Sequence, residues 1–310
     1  MQLKSWNLES LKITGMITLS LIAIGVCPIF YKLLESEISP IASIFNRLGG
    51  STIVFGTWVL FRFANRFSPP DLQRDHPTLK DYILLLISSL LFWMSQASWA
   101  WSLTQTSVAI SDLLHSLIPL FVILGGWLIG NKVFTPQFLL GTGISIAGSC
   151  LIGIEHLSGS PHKFNGDMAA MLSAVLLGTY ILIGEFICTK FSNTVIMLWV
   201  CLIGALLSLP ILSITQVEWF PISLHGWLFV GGLIITMVLG QGLLLYGIEQ
   251  VGASLMSVLT LLEPILAGIV AWFVFAEALS YLDIGAMFIV LFGVYLSISQ
   301  PLKYHPEQLG

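Results

Sequence analysis

Charge is what this chain has least of: 9% of its 310 residues are Asp, Glu, Lys or Arg, against roughly a quarter in an ordinary soluble domain. A water-exposed globule is thereby excluded, and with 56% hydrophobic residues and a mean hydropathy of +0.93 the solvent is a bilayer. Cysteine is scarce too. Cys27, Cys150, Cys188 and Cys201 each sit in an apolar run without metal-ligand spacing, so they read as small core residues, and no metal or other cofactor is expected. There is no phosphate-binding Gly-rich loop ending in Gly-Lys-Ser/Thr, no His-Glu-x-x-His and no nucleophile elbow. ATP-driven pumping and the common hydrolytic chemistries lack their residues. Alternation of polar and apolar residues is absent as well, which excludes a membrane barrel.

What is present is a series of long apolar runs. Hydrocarbon ~30 Å thick is crossed by ~20 residues of helix at ~1.5 Å each, and ten runs meet that length: Ile13–Leu34, Ile41–Phe63, Asp81–Leu103, Ser107–Ile129, Pro136–Ile154, Gly166–Ile187, Thr194–Ile214, Gly226–Ile248, Ala253–Phe275 and Tyr281–Ile298. The expected fold is an all-α membrane protein of ten transmembrane helices. The first run is too long for a cleaved signal and lacks a small-x-small site, so it is read as retained. Lys4, Lys12, Arg62, Arg66, Arg74, Lys80, Lys132, Lys190 and Lys303 fall on one side of such a layout, Lys32 and Lys163 on the other. By the positive-inside rule both termini are cytoplasmic in a cell inner (plasma) membrane. A net charge of −4 spread over loops points to no nucleic-acid partner.

The chain also repeats itself. At an offset of 145 residues Gln96 meets Gln241, Gln105 meets Gln250, Leu114 meets Leu259, Pro119 meets Pro264, Trp127 meets Trp272 and Gly148 meets Gly293. The register is defined for spans three to five against eight to ten and not for the first two of each half. Five spans per half is an odd number, so the second copy enters the membrane upside down. Inverted repeats are the architecture of alternating-access carriers with a midplane site. The expected division is 1–154 for the first repeat, 155–165 for a Ser-, Gly- and Pro-bearing linker, 166–302 for the second repeat, and 303–310 for a cytoplasmic tail.

Polar residues inside the runs are the candidate functional groups, since they are rare in lipid and tend to face a bundle interior or water. In "LTLLEPILAG", Glu263 stands ~15 Å into the ninth run. Pro264 beside it removes a backbone donor and frees the carbonyl of Thr260. Glu263 either pins that kink or contacts substrate. Asp112, His115 and Pro119 share one face of the fourth run. A His that gains or loses a proton near neutral pH, with an Asp one turn away, suits proton coupling, and it equally suits a hydrogen-bonded packing pair. Thr260 is the repeat counterpart of His115. Gln96 and Gln241 can bind the polar ends of a zwitterion or bond between helices; Trp93, one turn from Gln96, is a lining candidate. Arg47 can hold a substrate carboxylate or pair with Asp112.

The segment "GASLMSVLTLLEPILAGIVAWFVFAEALSYLDIGAMFIVLFGVYL" (252–296), the run 106–151 and "NGDMAAMLSAVLLGTYILIGE" (165–185) resemble EamA-type proteins of the drug/metabolite transporter superfamily. The resemblance implies ten helices in two inverted halves and transport of a small molecule, often export of amino acids or related metabolites. In place of the family's frequent Gly-Glu pair the first half has Asn131-Lys132, where the second half has Glu277. The sequence is thus read as a secondary transporter and not an enzyme, with a small-molecule substrate and the bilayer as partners; coupling to protons and facilitated movement without them both fit. The rival readings are a membrane enzyme on a small or lipid-linked substrate and a non-transporting sensor or assembly protein, which short connections disfavour. Oligomeric state, substrate and direction are not written in the sequence.

Overall fold

The structure, a computed structural model, describes residues 8–64, 77–105, 108–130, 132–152, 164–275 and 280–299. Among these the chain is helical throughout: α1 (Leu8–Leu34), α2 (Pro40–Ala64), α3 (Leu79–Gln105), α4 (Val108–His115), α5 (Ile118–Gly130), α6 (Pro136–Ile152), α7 (Phe164–Ile187), α8 (Asn193–Thr215), α9 (Leu224–Ile235), α10 (Gly242–Val251), α11 (Ala253–Leu259), α12 (Glu263–Phe275) and α13 (Tyr281–Ile298). The reason is the solvent. Lipid offers no hydrogen-bond partner, so backbone groups must pair within the segment that carries them. Side-chain hydroxyls follow the same logic: Thr14, Thr18, Thr52, Ser89 and Thr142 all donate to a carbonyl four residues back, at 2.8–2.9 Å.

Among the described residues seven helical stretches are long and apolar enough to cross a membrane: Glu9–Leu34, Leu79–Gln105, Phe164–Ile187, Asn193–Thr215, Leu224–Val251, Ala253–Phe275 and Tyr281–Ile298. The other three of the ten expected runs depart from that form for identifiable reasons. Asn46 and Arg47 dilute α2, the fourth run is divided into α4 and α5, and the described part of α6 covers 17 residues. Phe63, Ile214 and Phe273, at 81%, 79% and 74% exposed, turn large apolar side chains outward, as a lipid-facing surface does.

Helix starts coincide with the repeat. Thr78 and Asp81 bond at the start of α3 (Thr78 N–H to Asp81 Oδ2, 2.7 Å), and Ser223 accepts from Gly226 N–H (2.8 Å) at the start of α9. Thr135 accepts from Phe138 N–H (3.2 Å) before α6, and Ser280 forms a capping box with Asp283 before α13. Thr78 and Ser223, like Thr135 and Ser280, stand 145 residues apart. The hydroxyls of Thr135, Ser223 and Ser280 each accept one of a helix's orphan N–H groups, whereas at Thr78 the Asp81 carboxylate accepts both the N–H and the hydroxyl of the threonine.

The chain packs as two compact units that cut across the sequence repeats: residues 1–93 with 183–252, and 94–182 with 253–310. The long helices α3 and α7 each contribute one end to each unit. In unit 1, α2 lies along α8, and α1 along α9 and α10, over a core of Cys27, Leu34, Ile38, Ala42, Leu212, Val230 and Leu233. Its α1–α2 corner is tied to the start of α9. Glu37 receives hydrogen bonds from Ser223 N–H (3.1 Å) and Ser223 Oγ (2.5 Å), and Asn46 Nδ2 donates to Trp219 O at 2.6 Å. Phe45 meets Trp219 and Phe220 edge-on.

In unit 2 the repeat-related helices α6 and α13 pack on one another along a seam of small residues. A Cβ placed on Gly141 would lie 2.6 Å from Gly293 O, and one on Gly293 would lie 2.6 Å from Gly141 O. Ser145 Oγ bonds Gly141 O at 3.0 Å and Val290 O at 3.3 Å, so the hydroxyl reaches across the seam.

Two outcomes follow from these contacts. Gly293→Ala drives a methyl into a backbone carbonyl and is expected to destabilise by about 1–3 kcal/mol, the usual range for overpacking. Gly285→Ala, on the same helix with nothing within 4 Å, is expected to be neutral or stabilising by about 0.5–1 kcal/mol; melting of both variants in detergent checks the pair. At the α1–α2 corner, the Ser223 hydroxyl and N–H hold the Glu37 carboxyl below its ordinary value of 4.5. A carboxyl depressed on folding contributes stability above its unfolded value, and that contribution disappears as pH falls through the folded one. Amide exchange at Ser223–Gly226, corrected for intrinsic rate, is therefore expected to rise below pH 4.5 in the wild type, and at every pH in Glu37→Ala.

Candidate functional site

The two prolines of the repeat occupy the same place in two broken helices of unit 2. Pro119 is the second residue of α5 and Pro264 the second of α12, where the missing N–H is not needed by the helix that follows. Ahead of each the chain is interrupted, by the turn Ser116–Leu117 and by the 3₁₀ turn Thr260–Leu262, at positions 145 residues apart. By contrast α1 and α8 run through Pro28 and Pro210 without a break. The α11 half of the second broken helix packs against α5, the half-helix that follows the first break.

The sequence reading leaves the Thr260 carbonyl exposed by Pro264, and the structure corrects this. Glu263 N–H bonds Thr260 O in the tighter i→i+3 pattern, so the carbonyl is satisfied by the break itself. Glu263 thereby stands at the junction between the 3₁₀ turn and α12, with its own N–H engaged. The hydroxyls leading to it turn back on their own helix, Thr260 Oγ1 to Ser257 O (2.7 Å) and Ser257 Oγ to Ser254 O (2.9 Å). Ser254 Oγ, buried, finds no partner among the described residues.

His115 ends α4 at the other break. Its Nδ1 lies 2.7 Å from Ser173 Oγ on α7, and its ring 6.0 Å from that of Trp99 on α3. Ser173 is fully buried, bonds Ala170 O through its hydroxyl (2.6 Å), and receives Ser95 Oγ on its own carbonyl (2.8 Å). Ser102 and Ser111 share a hydrogen bond that joins α3 to α4. Ser173 was not singled out from the sequence, where one serine in an apolar run carries no distinguishing mark. The side chain of Asp112, and with it the candidate pairs to His115 and Arg47, lies outside the described residues, as does Glu277. Gln96, one helical turn from Trp93, is buried in unit 2.

The remaining candidates belong to unit 1. Trp93 donates its indole N–H to Ser208 Oγ (3.0 Å) on α8, and its ring covers Gly204, so its polar handle is engaged within the unit. Arg47 is 5% exposed, with Nη1 3.5 Å from the Tyr31 hydroxyl and its guanidinium 5.9 Å from the Tyr31 ring centre. Cation–π contact and a hydroxyl offset part of the desolvation of that charge. Gln241 ends a π-helical turn, Thr236–Gln241, that joins α9 to α10. Its preceding carbonyl, Gly240 O, is taken by Ser20 Oγ of α1 at 2.6 Å. The repeat-related stretch of α3 contains no such turn, so the two glutamines the sequence pairs sit in different local geometry and in different units.

No curated protein matches the chain. Among solved structures 29 chains match, one of them described only as "Crystal structure of protein", at 16% identity and a TM-score of 0.76, over 94% of this chain and 99% of that one. At that identity the likeness speaks for the fold alone. The EamA-like transporter family matches twice, over residues 12–154 and again over 164–299. With apolar membrane-length helices in both matched regions, the protein is a multi-pass helical membrane protein of the drug/metabolite transporter type, and the chain belongs to the EamA-like transporter family.

Proposed function

We propose that this protein is a secondary transporter that moves a small polar metabolite, amino acids or their derivatives first, outward across the cytoplasmic membrane. The observation that carries the reading is the pair of helix breaks at one repeat register, both within unit 2 and each followed by a proline. Discontinuous helices are how membrane carriers place backbone and helix ends at a midplane site. In this reading the chain forms ten spans as two inverted repeats, 1–154 and 166–302, with both termini cytoplasmic. The breaks at Ser116–Leu117 and Thr260–Leu262 are the bending points of alternating access. His115, Asp112 and Glu263 are the groups that carry protons if transport is coupled. Gln96, buried in the same unit as the breaks, is the amide this reading assigns to the cargo, and no chemical step on the cargo is required.

The test is efflux of a labelled amino-acid and metabolite panel from proteoliposomes, with and without an imposed proton gradient. The expected result is movement of an unmodified compound that responds to the gradient and loses that response in His115→Gln. Movement indifferent to the gradient makes the protein a facilitator, and failure of every compound to move with folded protein refutes the reading.

The bending points generate a second outcome. Pro264→Ala restores an N–H that can close an α-helical bond onto Thr260 O. Such a bond is worth about 1 kcal/mol, so the straight form gains about fivefold in population, and transport is expected to slow by a similar factor while folding is retained. An unchanged turnover in both Pro264→Ala and Pro119→Ala would remove the breaks from the mechanism.

A further inference from the structure

The hydroxyl of Ser173 has one proton and two neighbours, Ala170 O at 2.6 Å and His115 Nδ1 at 2.7 Å. A carbonyl oxygen only accepts, so the contact with Ala170 uses the serine proton. What Ser173 then offers His115 is a lone pair, and Nδ1 must be the donor. The reverse assignment would press two oxygen lone pairs together at 2.6 Å inside a buried site. Ser173 is fully buried, and Ser95 of α3 holds its carbonyl from the other side. Trp99 flanks the imidazole ring. His115 itself is half-buried, and among the described residues none bonds its Nε2.

A neutral imidazole with its proton on Nδ1 has its only lone pair on Nε2. We propose that Ser173 is a positioning residue that locks His115 in the Nδ1–H form and thereby makes Nε2 a pure acceptor for a hydrogen-bond donor on the cargo. The cargo half of this inference rests on the transport reading; the tautomer half does not. The group received at His115 is an ammonium or a hydroxyl, and a carboxylate or phosphate finds no donor on the neutral ring. Ser173 lies 58 residues from His115 in sequence and touches the cargo only through it.

The experiment is nuclear magnetic resonance of the full-length protein in lipid nanodiscs, with the rings of its six histidines labelled with ¹⁵N. His115→Gln identifies the signal. The expected result is a proton on Nδ1 in the wild type and in Ser173→Thr, which keeps the hydroxyl, and a shift toward the Nε2–H form in Ser173→Ala. A wild-type ring protonated on Nε2, or a Ser173→Ala ring unchanged from wild type, overturns the lock. If Ser173→Ala fails to fold, the wild-type and Ser173→Thr spectra decide alone. Ethylammonium and acetate then serve as donor and acceptor probes. A displacement of the Nε2 signal by ethylammonium and not by acetate supports donor recognition, whereas displacement by acetate, or by neither, overturns it. Failure of every compound to move in proteoliposomes, with the Nδ1–H form present, would refute transport and leave the lock standing.

Discussion

In hydrocarbon a backbone N–H or C=O has no solvent to fall back on, and an unmet group costs several kcal/mol. Each irregularity of this fold is shaped by that constraint. Where Pro264 removes a donor, the chain tightens so that Glu263 N–H takes the Thr260 carbonyl. At the π turn before α10, the Gly240 carbonyl is met from another helix by Ser20. Pro119 and Pro264 are tolerated because each stands in the first turn of a new helix, where no intrahelical donor is due. A break in a membrane helix is therefore a local rearrangement with its own partners, which lets it recur at one register in both copies of the repeat.

Packing has a different origin. Apolar side chains gain little from meeting one another in lipid, so close association depends on small residues and on polar groups that bond between helices. The α6–α13 seam of unit 2 uses both, with Gly141 and Gly293 admitting backbone to backbone and Ser145 bridging to Val290 O. Unit 1 relies on polar ties at its corner, Glu37 to Ser223 and Asn46 to Trp219, with an aromatic cluster beside them. Small residues confer closeness, and polar residues confer register.

The charged and polar candidates divide along the same lines. Trp93 and Arg47 meet polar partners inside unit 1, from Ser208 and Tyr31. His115 in unit 2 is held on one ring nitrogen by a buried serine. Glu263 closes the 3₁₀ turn of unit 2 through its backbone N–H.

Helicity, the apolar runs, the caps at Thr78, Thr135, Ser223 and Ser280, and the 145-residue register of the prolines are determined by the sequence itself, because each depends on neighbours within a turn or two. The carbonyl of Thr260 was misread from the sequence because an i→i+3 bond competes locally with the i→i+4 bond that Pro264 forbids. Tertiary structure alone decided that Ser173 meets His115, that Ser208 meets Trp93 and that Ser20 meets Gly240, across separations of 58, 115 and 220 residues. It also decided that compact units would cut across the repeats. Which hydroxyl faces which ring depends on the rotation and rise of one helix against another. That relation is set by the packing of all of them together, and no local pattern encodes it.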